Sequence, residues 1–439
     1  MSTYPKTNIL DMFGLLGRMG KGVLLRQDRS EVLADWVQNV SKRLNSNSIY
    51  LNLYVTKILL ANGDDLSAHI LAKYPSHEGY IEGTLKRKAM SFLAPNALTI
   101  SDDEQWTELR RYNEKVLHTG TSHPSQQAFL NQLHHIFAYV FDGPPKDIDE
   151  IRVMMGKLML SVVFGTGKAP DHLRKDIYTL FNELGIRTAL IGSRKTKQRD
   201  RFRKEVQDLW AKPQGGNQPS LVAIAKTAKS GLSPTYQVDG YLVDQIPHWM
   251  FTFTNSGTEL LCRALALISA RPKVRQRVLD EIAQVGGDLQ DAETINQLVY
   301  LEACLMEAGR LYPPVTRTAH SAAVRDEFEQ KEIRENTSTI HLFQMNNRDI
   351  IQDPQANDFV PERWLDNSPQ QSMETLYPNI FLSGARACPG RGLILFVNKA
   401  AIALCLTRYY METCANELKD DPVPYSFPKH GEQFCFDSE

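Results

Sequence analysis

The sequence predicts a mainly α-helical protein with a smaller β region, on two observations. Apolar residues recur at spacings of three and four through most of the chain, and strand-like stretches are few and short. No internal repeat or long low-complexity tract interrupts this pattern, which excludes a solenoid. A composition of 42% hydrophobic and 23% charged residues, with net charge -1, is that of an ordinary globular chain and excludes a global nucleic-acid binder. Length alone suggests about three domains; the expectation is nevertheless one domain over 1–439, because large enzymes often exceed that prior.

The N-terminal segment is mildly apolar but broken by Asp11, Gly14, Gly17, Arg18, Gly20 and Lys21. Neither a spanning helix nor a signal peptide fits it, so a cytoplasmic protein without a transmembrane segment is expected. Gly14, Leu15 and Leu16 either touch a membrane surface or, more simply, belong to a short helix packed on the body. ADWVQNVSKRL has helical spacing, whereas SIYLNLYV alternates as a strand does. Four helical segments follow: QWTELRRYNEKVL, AFLNQLHHIFAYVF, IRVMMGKLMLSVVF and the basic RKTKQRDRFRK. In the last, Arg194 to Lys204, seven of eleven residues are basic. A solvated helix face is the default reading, and contact with an anionic surface the lesser one. AKPQGGNQPS, Ala211 to Ser220, is a loop because Pro and Gly stop a helix there. HWMFTFTNSGTELLCRALALISA, VRQRVLDEIAQV and NQLVYLEACLMEAGRLY are helical again, and residues 337–343, containing STIHLF, read as a strand.

The six cysteines, Cys262, Cys304, Cys388, Cys405, Cys414 and Cys435, show no CxxC pair and no metal-ligand spacing. A disulfide scaffold, a zinc site and an iron–sulfur cluster are therefore not expected. Cys388 is distinguished by its surroundings, FLSGARACPG. Gly384 permits positive φ or close backbone approach, and Gly390 opens a helix whose first amides favour a negatively charged sulfur. A thiolate held there is suited to bind a metal permanently, and on haem iron it favours O–O cleavage.

Phe381, Gly384, Arg386, Cys388 and Gly390 match the signature Phe-x-x-Gly-x-Arg-x-Cys-x-Gly, and in this the chain resembles the cytochrome P-450 superfamily of haem-thiolate proteins. Glu307 and Arg310 in EAGRLYPPV match that family's Glu-x-x-Arg arrangement, and Arg363 lies in its Pro-Glu-Arg segment. Three residues apart on a helix, Glu307 and Arg310 can pair; the resemblance implies that Arg363 joins them in a buried brace under the haem. It also implies that Cys388 is the iron ligand and that Trp106, Arg110, Arg386 and Arg317 meet the propionates of haem b. The match runs from about Trp106 to Tyr410. The implied fold places the haem between the long central helix and the cysteine loop.

One segment departs from the family. Counting back from ARPKVRQRVLDEI, the oxygen-activating segment is TFTNS, so Asn255 stands at the usual acid, Ser256 at the alcohol, and Phe253 replaces a glycine. An amide orients water but does not ionise; Thr252 lies four residues before Ser256 and shares its face. A register shifted onto Thr258 and Glu259 is the alternative, and so is a groove of polar residues that satisfy their own backbone.

The resemblance implies insertion of one atom of dioxygen into a small, fairly apolar molecule, with electrons from a separate reductase through a ferredoxin- or flavodoxin-like donor. Arg391 and Lys399 are placed to help dock that donor. Phe92, Leu93, Phe251, Phe253, Val315 and Thr316 are the expected pocket walls, and a monomer is the expected state. Two alternatives stand beside this: an enzyme that rearranges or uses a peroxide without external electrons, and a non-catalytic haem-binding protein.

Overall fold

The computed structural model describes residues 2–8, 10–11, 13–15, 17–18, 29–52, 57–61, 64–120, 122–213, 219–349, 353–365, 380–382 and 384–435. Helices carry most of them. Those that build the site and its supports are α1 (Arg29–Leu44), α2 (Asp103–Leu117), α3 (Gln126–Val140), α4 (Ile148–Phe164), α5 (His172–Phe181), α6 (Thr196–Ala211), α7 (Ile246–Thr252), α8 (Thr258–Ser269), α9 (Pro272–Gln284), α10 (Val299–Leu311) and α11 (Arg391–Arg408).

Local chemistry sets several boundaries. At the start of α4, the Asp147 side chain accepts hydrogen bonds from the amides of Asp149 and Glu150, which would otherwise lack partners. Gly165 ends that helix with φ +95°, a conformation that a side chain resists. Pro272 opens α9, where its missing N–H costs nothing. The segment read as one long helix, 248–270, is instead two α-helices, α7 and α8, joined by a π turn over Phe253–Gly257.

The β part holds a five-stranded sheet in the order β1-β2-β5-β4-β3, made of β1 (Ile49–Asn52), β2 (Lys57–Ala61), β3 (Tyr80–Glu82), β4 (Arg317–Ala322) and β5 (Ser338–Leu342). Only β2 and β5 run parallel, so strands nearly 300 residues apart in sequence are neighbours. A smaller sheet joins Ser2–Thr3 to Lys331–Ile333 and Asp326–Phe328. The main core lies among the helices: α8, α10 and α11 are almost wholly buried, and burial of their apolar area is the main stabilising term.

Two expectations need correction. Cys414 and Cys435 form a disulfide, because the antiparallel pair β6 (Glu412–Thr413) and β7 (Phe434–Cys435) brings distant cysteines together. The basic run of α6 is the solvent-facing helix face that was expected, with every basic residue exposed or partly exposed, and some of its charges are paired. Arg201 pairs with Asp176 at 2.7 Å, Arg203 with Asp244 at 3.0 Å and Lys204 with Asp208 at 2.7 Å, while Phe202 and Val206 face the core. Lys399 is buried and pairs with Glu302 at 2.8 Å, so it is turned away from any docking partner. At the N-terminus, Leu15 packs on the cluster beneath α1 while Gly14 is exposed. Leu16 lies outside the described residues, as do residues 214–218 of the expected loop.

Candidate functional site

The cysteine loop is closed by the amide of Cys388, which donates to the carbonyl of Phe381 at 2.7 Å. Within it, Leu382 carries the positive φ, +58°, and Gly384 begins a single 3-10 turn, Gly384–Arg386. Gly390 caps α11, whose first turn therefore starts three residues after the sulfur. Burial pushes the Cys388 thiol up, and the amides of Gly390 and Arg391 with the charges of Arg110 and Arg391 act in the opposite sense. The other free cysteines, Cys262, Cys304 and Cys405, are fully enclosed, and burial pushes the thiol of Cys405 up to about 12. Of the four free cysteines, Cys388 alone is partly exposed as a residue.

Beside it lies a set of donors from α2 and the loop. Arg110 gives Nη1 to the carbonyl of Ala387 at 2.5 Å and Nε to Glu114 at 2.6 Å. Arg386 gives Nη2 to the carbonyl of Ser101 at 2.6 Å and lies over the rings of Tyr74, at 4.0 Å, and Trp106, at 5.5 Å. Trp106 Nε1 and Arg386 Nε are buried without hydrogen-bond partners. Orphaned buried donors are costly, so these two fit a group that brings carboxylate oxygens to the loop, as haem propionates do. The structure does not bring Arg317 to this set: it is exposed at the outer start of β4. Strand alternation turns His320 inward instead. Its ring lies 4.1 Å from that of Tyr74, its Nδ1 has no partner, and burial holds it neutral by lowering its pKa well below the ordinary value. The period-two pattern of β4 was the signal that could have found it.

Below the loop, Glu307 is completely buried and accepts from five donors. Arg310 binds it through Nε at 2.8 Å and Nη2 at 2.7 Å, Arg363 Nε at 3.1 Å, Trp364 Nε1 at 2.9 Å and the amide of Val360 at 3.0 Å. Arg310 also reaches the carbonyls of Asn347, Ala356 and Asp358, and Arg363 binds Asp353 at 2.6 Å. Geometrically this is a fully satisfied buried network. It pins α10 to the segment 347–364 that follows β5.

The π turn packs on the other side of α11. A Cβ added to Gly257 would lie 2.5 Å from Ile394 Cδ1, and Asn398 Nδ2 donates to the Gly257 carbonyl at 3.1 Å. The turn is thus held against the helix that follows the cysteine loop. Thr252 and Thr254 return their hydroxyls to the carbonyls of His248, at 2.8 Å, and Met250, at 2.9 Å. Asn255 is nearly enclosed, while Ser256 and Thr252 are partly exposed. In the shifted register, Glu259 is occupied by Arg263 at 3.0 Å, and Thr258 is fully buried.

Of the expected pocket walls, Leu93 is fully buried and Phe251 and Phe253 are nearly so; Phe251 stacks on Phe181 at 4.6 Å. These three belong to the core. Phe92 lies under the Arg199 guanidinium at 4.9 Å and is partly exposed, and Val315 and Thr316 are exposed.

Residues 250–436 match the family described as Cytochrome P450. The alkane hydroxylase MAH1 of Arabidopsis thaliana is 24% identical over 454 residues, covering 93% of this chain and 88% of that protein. Cytochrome P450 94C1 of the same plant is 28% identical over 188 residues, covering 41% and 38%, and the probable cytochrome P450 4d20 of Drosophila melanogaster 26% over 208 residues, covering 46% and 41%. The chain therefore spans about two fifths of the length of those last two relatives. In fold it resembles the retinoic acid bound cyanobacterial CYP120A1, with a TM-score of 0.70 at 15% identity over 91% of this chain and 93% of that one.

Proposed function

The chain belongs to the cytochrome P450 superfamily, and from that premise we propose that it is a haem-thiolate monooxygenase acting on a small, fairly apolar, aliphatic substrate. The name of the alkane hydroxylase relative, aligned along most of both chains, supports an aliphatic substrate. The observation that carries the reading is the partly exposed Cys388 just before α11, in a loop that also carries Arg386, whose Nε is buried without a partner as is Nε1 of the neighbouring Trp106.

In this reading the cofactor is haem b. Cys388 binds its iron, and Trp106, Arg110 and Arg386 hold its propionates, with buried His320 beside them. Glu307, Arg310 and Arg363 fix the loop's height. When bound, the haem supplies activation of dioxygen. Overall, the substrate, dioxygen, two electrons and two protons give the hydroxylated or epoxidised product and one water. The chain's own part is to exclude bulk water, seat the substrate against Phe92, Val315 and Thr316, and deliver protons. Asn255 orients water without ionising, and Ser256 and Thr252 supply hydroxyls beside it. Electrons come from a separate ferredoxin- or flavodoxin-type donor that docks near Arg391. Among the described residues, no helix is long and apolar enough to cross a membrane; a cytoplasmic, monomeric, single-domain state belongs to the same proposal.

The test is turnover under isotopically labelled dioxygen, with and without a surrogate reductase. Label in the product only when electrons are supplied is the expected result. The second reading, favoured by Asn255 in place of an acid, is rearrangement of a hydroperoxide; it predicts conversion without electrons and without label.

A further inference from the structure

A cleft of about 340 Å³ opens between α4 and α5, with Thr254 of the π turn among its lining residues. Asp149, Arg152, Arg174 and Lys175 also line it, and their charges keep it wet. Gly156 lets the two helices approach there: a Cβ on it would lie 3.0 Å from Arg174 Cδ. The cleft thus brings water to the side of the central helix that faces α4 and α5. Gly257, three residues beyond Thr254, instead meets Ile394 of α11, the helix that follows Cys388.

Thr254, Asn255 and Ser256 are consecutive in the π turn, so each is rotated from the last by somewhat less than the rotation of about 100° in an α-helix. Three polar side chains in a row therefore step around the helix, from the cleft to the opposite side. The first step is short: Thr254 Oγ1 lies 2.9 Å from the Met250 carbonyl and 3.4 Å from Asn255 Oδ1, so rotation of one hydroxyl swings its proton between them. π turns, which widen a helix, occur often at functional sites.

We propose that this cleft is the proton inlet of the enzyme, and that Thr254 is the positioning residue that passes protons from cleft water to water held by Asn255 and Ser256. In each transfer the hydroxyl oxygen of Thr254 accepts a proton from a cleft water and releases its own proton toward the water at Asn255. The threonine is unchanged, and the hydroxide left in the cleft is neutralised by exchange with solvent. The two protons consumed per turnover accompany two electrons from the separate donor. The route replaces the ionisable acid that position 255 lacks. It rests on the monooxygenase reading and deepens it.

The experiment uses the full-length, haem-loaded protein with a surrogate donor and an alkane that it oxidises. Thr254→Val keeps the shape and removes the hydroxyl; product formed per electron should fall about tenfold or more, with peroxide rising and KM unchanged. Thr254→Ser should restore coupling, and the solvent isotope effect should grow in the valine variant alone. A second arm needs no turnover. Thr179→Phe, which fills the cleft, should slow amide hydrogen exchange in residues 253–257 of the haem-free protein about tenfold while leaving its melting temperature unchanged.

Wild-type coupling and isotope effect in Thr254→Val overturn the inference and leave the monooxygenase reading standing. Unchanged exchange in the plugged variant also overturns it. A wild-type protein that never consumes electrons overturns both readings.

Discussion

Glu307 is the residue on which the lower half of the site depends. Burial opposes its ionisation, but Arg310 and Arg363 outweigh that and hold its carboxyl below its ordinary value of 4.5. The folded pKa is thus depressed, so the stabilisation is present above pH 4.5 and is lost as pH falls through the lower, folded value. Glu307→Gln leaves two guanidiniums without their shared anion and should cost about 3–5 kcal/mol in urea denaturation at pH 7. It should also flatten the loss of stability below pH 4.5 that the wild-type protein shows. Equal stability at neutral pH, or an unchanged acid limb, would show that the network contributes little. The Glu-x-x-Arg pair was legible in the sequence because i,i+3 residues meet on any helix. The donors Trp364 Nε1 and the Val360 amide were not, since they reach Glu307 only once the chain beyond β5 has folded back. Arg317 and His320 teach the same lesson in a strand: charge type pointed to the arginine, while the pleat turns the histidine inward.

Periodicity located the central helix but not its π turn, because one widened turn barely disturbs an apolar spacing of three and four. The turn depends on contact with α11 at a single glycine. Gly257→Ala places a methyl 2.5 Å from the Ile394 side chain, and overpacking of this kind costs about 1–3 kcal/mol. In thermal denaturation the double variant Gly257→Ala, Ile394→Ala should lose less than the two single losses combined. Strict additivity would mean that the two helices are not in that contact. Charge patterning in α6 was legible as a basic face, but the carboxylates that absorb it, Asp176 and Asp244, lie on other elements and could not be paired with it from sequence. The Cys414–Cys435 bond was missed for a related reason: its cysteines become neighbours only through the pairing of β6 with β7.

At the scale of the molecule, the mainly helical class with a small β region followed from repeated short-range patterns. The sheet order did not, since the parallel pairing of β2 with β5 depends on contacts across most of the chain. That pairing ties the first part of the chain to the body that carries the family match, and α2 brings Trp106 and Arg110 to the cysteine loop from outside the matched region, 250–436. The site is therefore assembled by the whole fold, around one sulfur. The most direct test is the absorption spectrum of the reduced, carbon-monoxide-bound protein beside its Cys388→Ser variant. A thiolate-type Soret band in the wild type, lost in the variant while haem is still bound, is the predicted result. Survival of that band in Cys388→Ser, or its absence from the wild type, would contradict the assignment of Cys388 as the iron ligand.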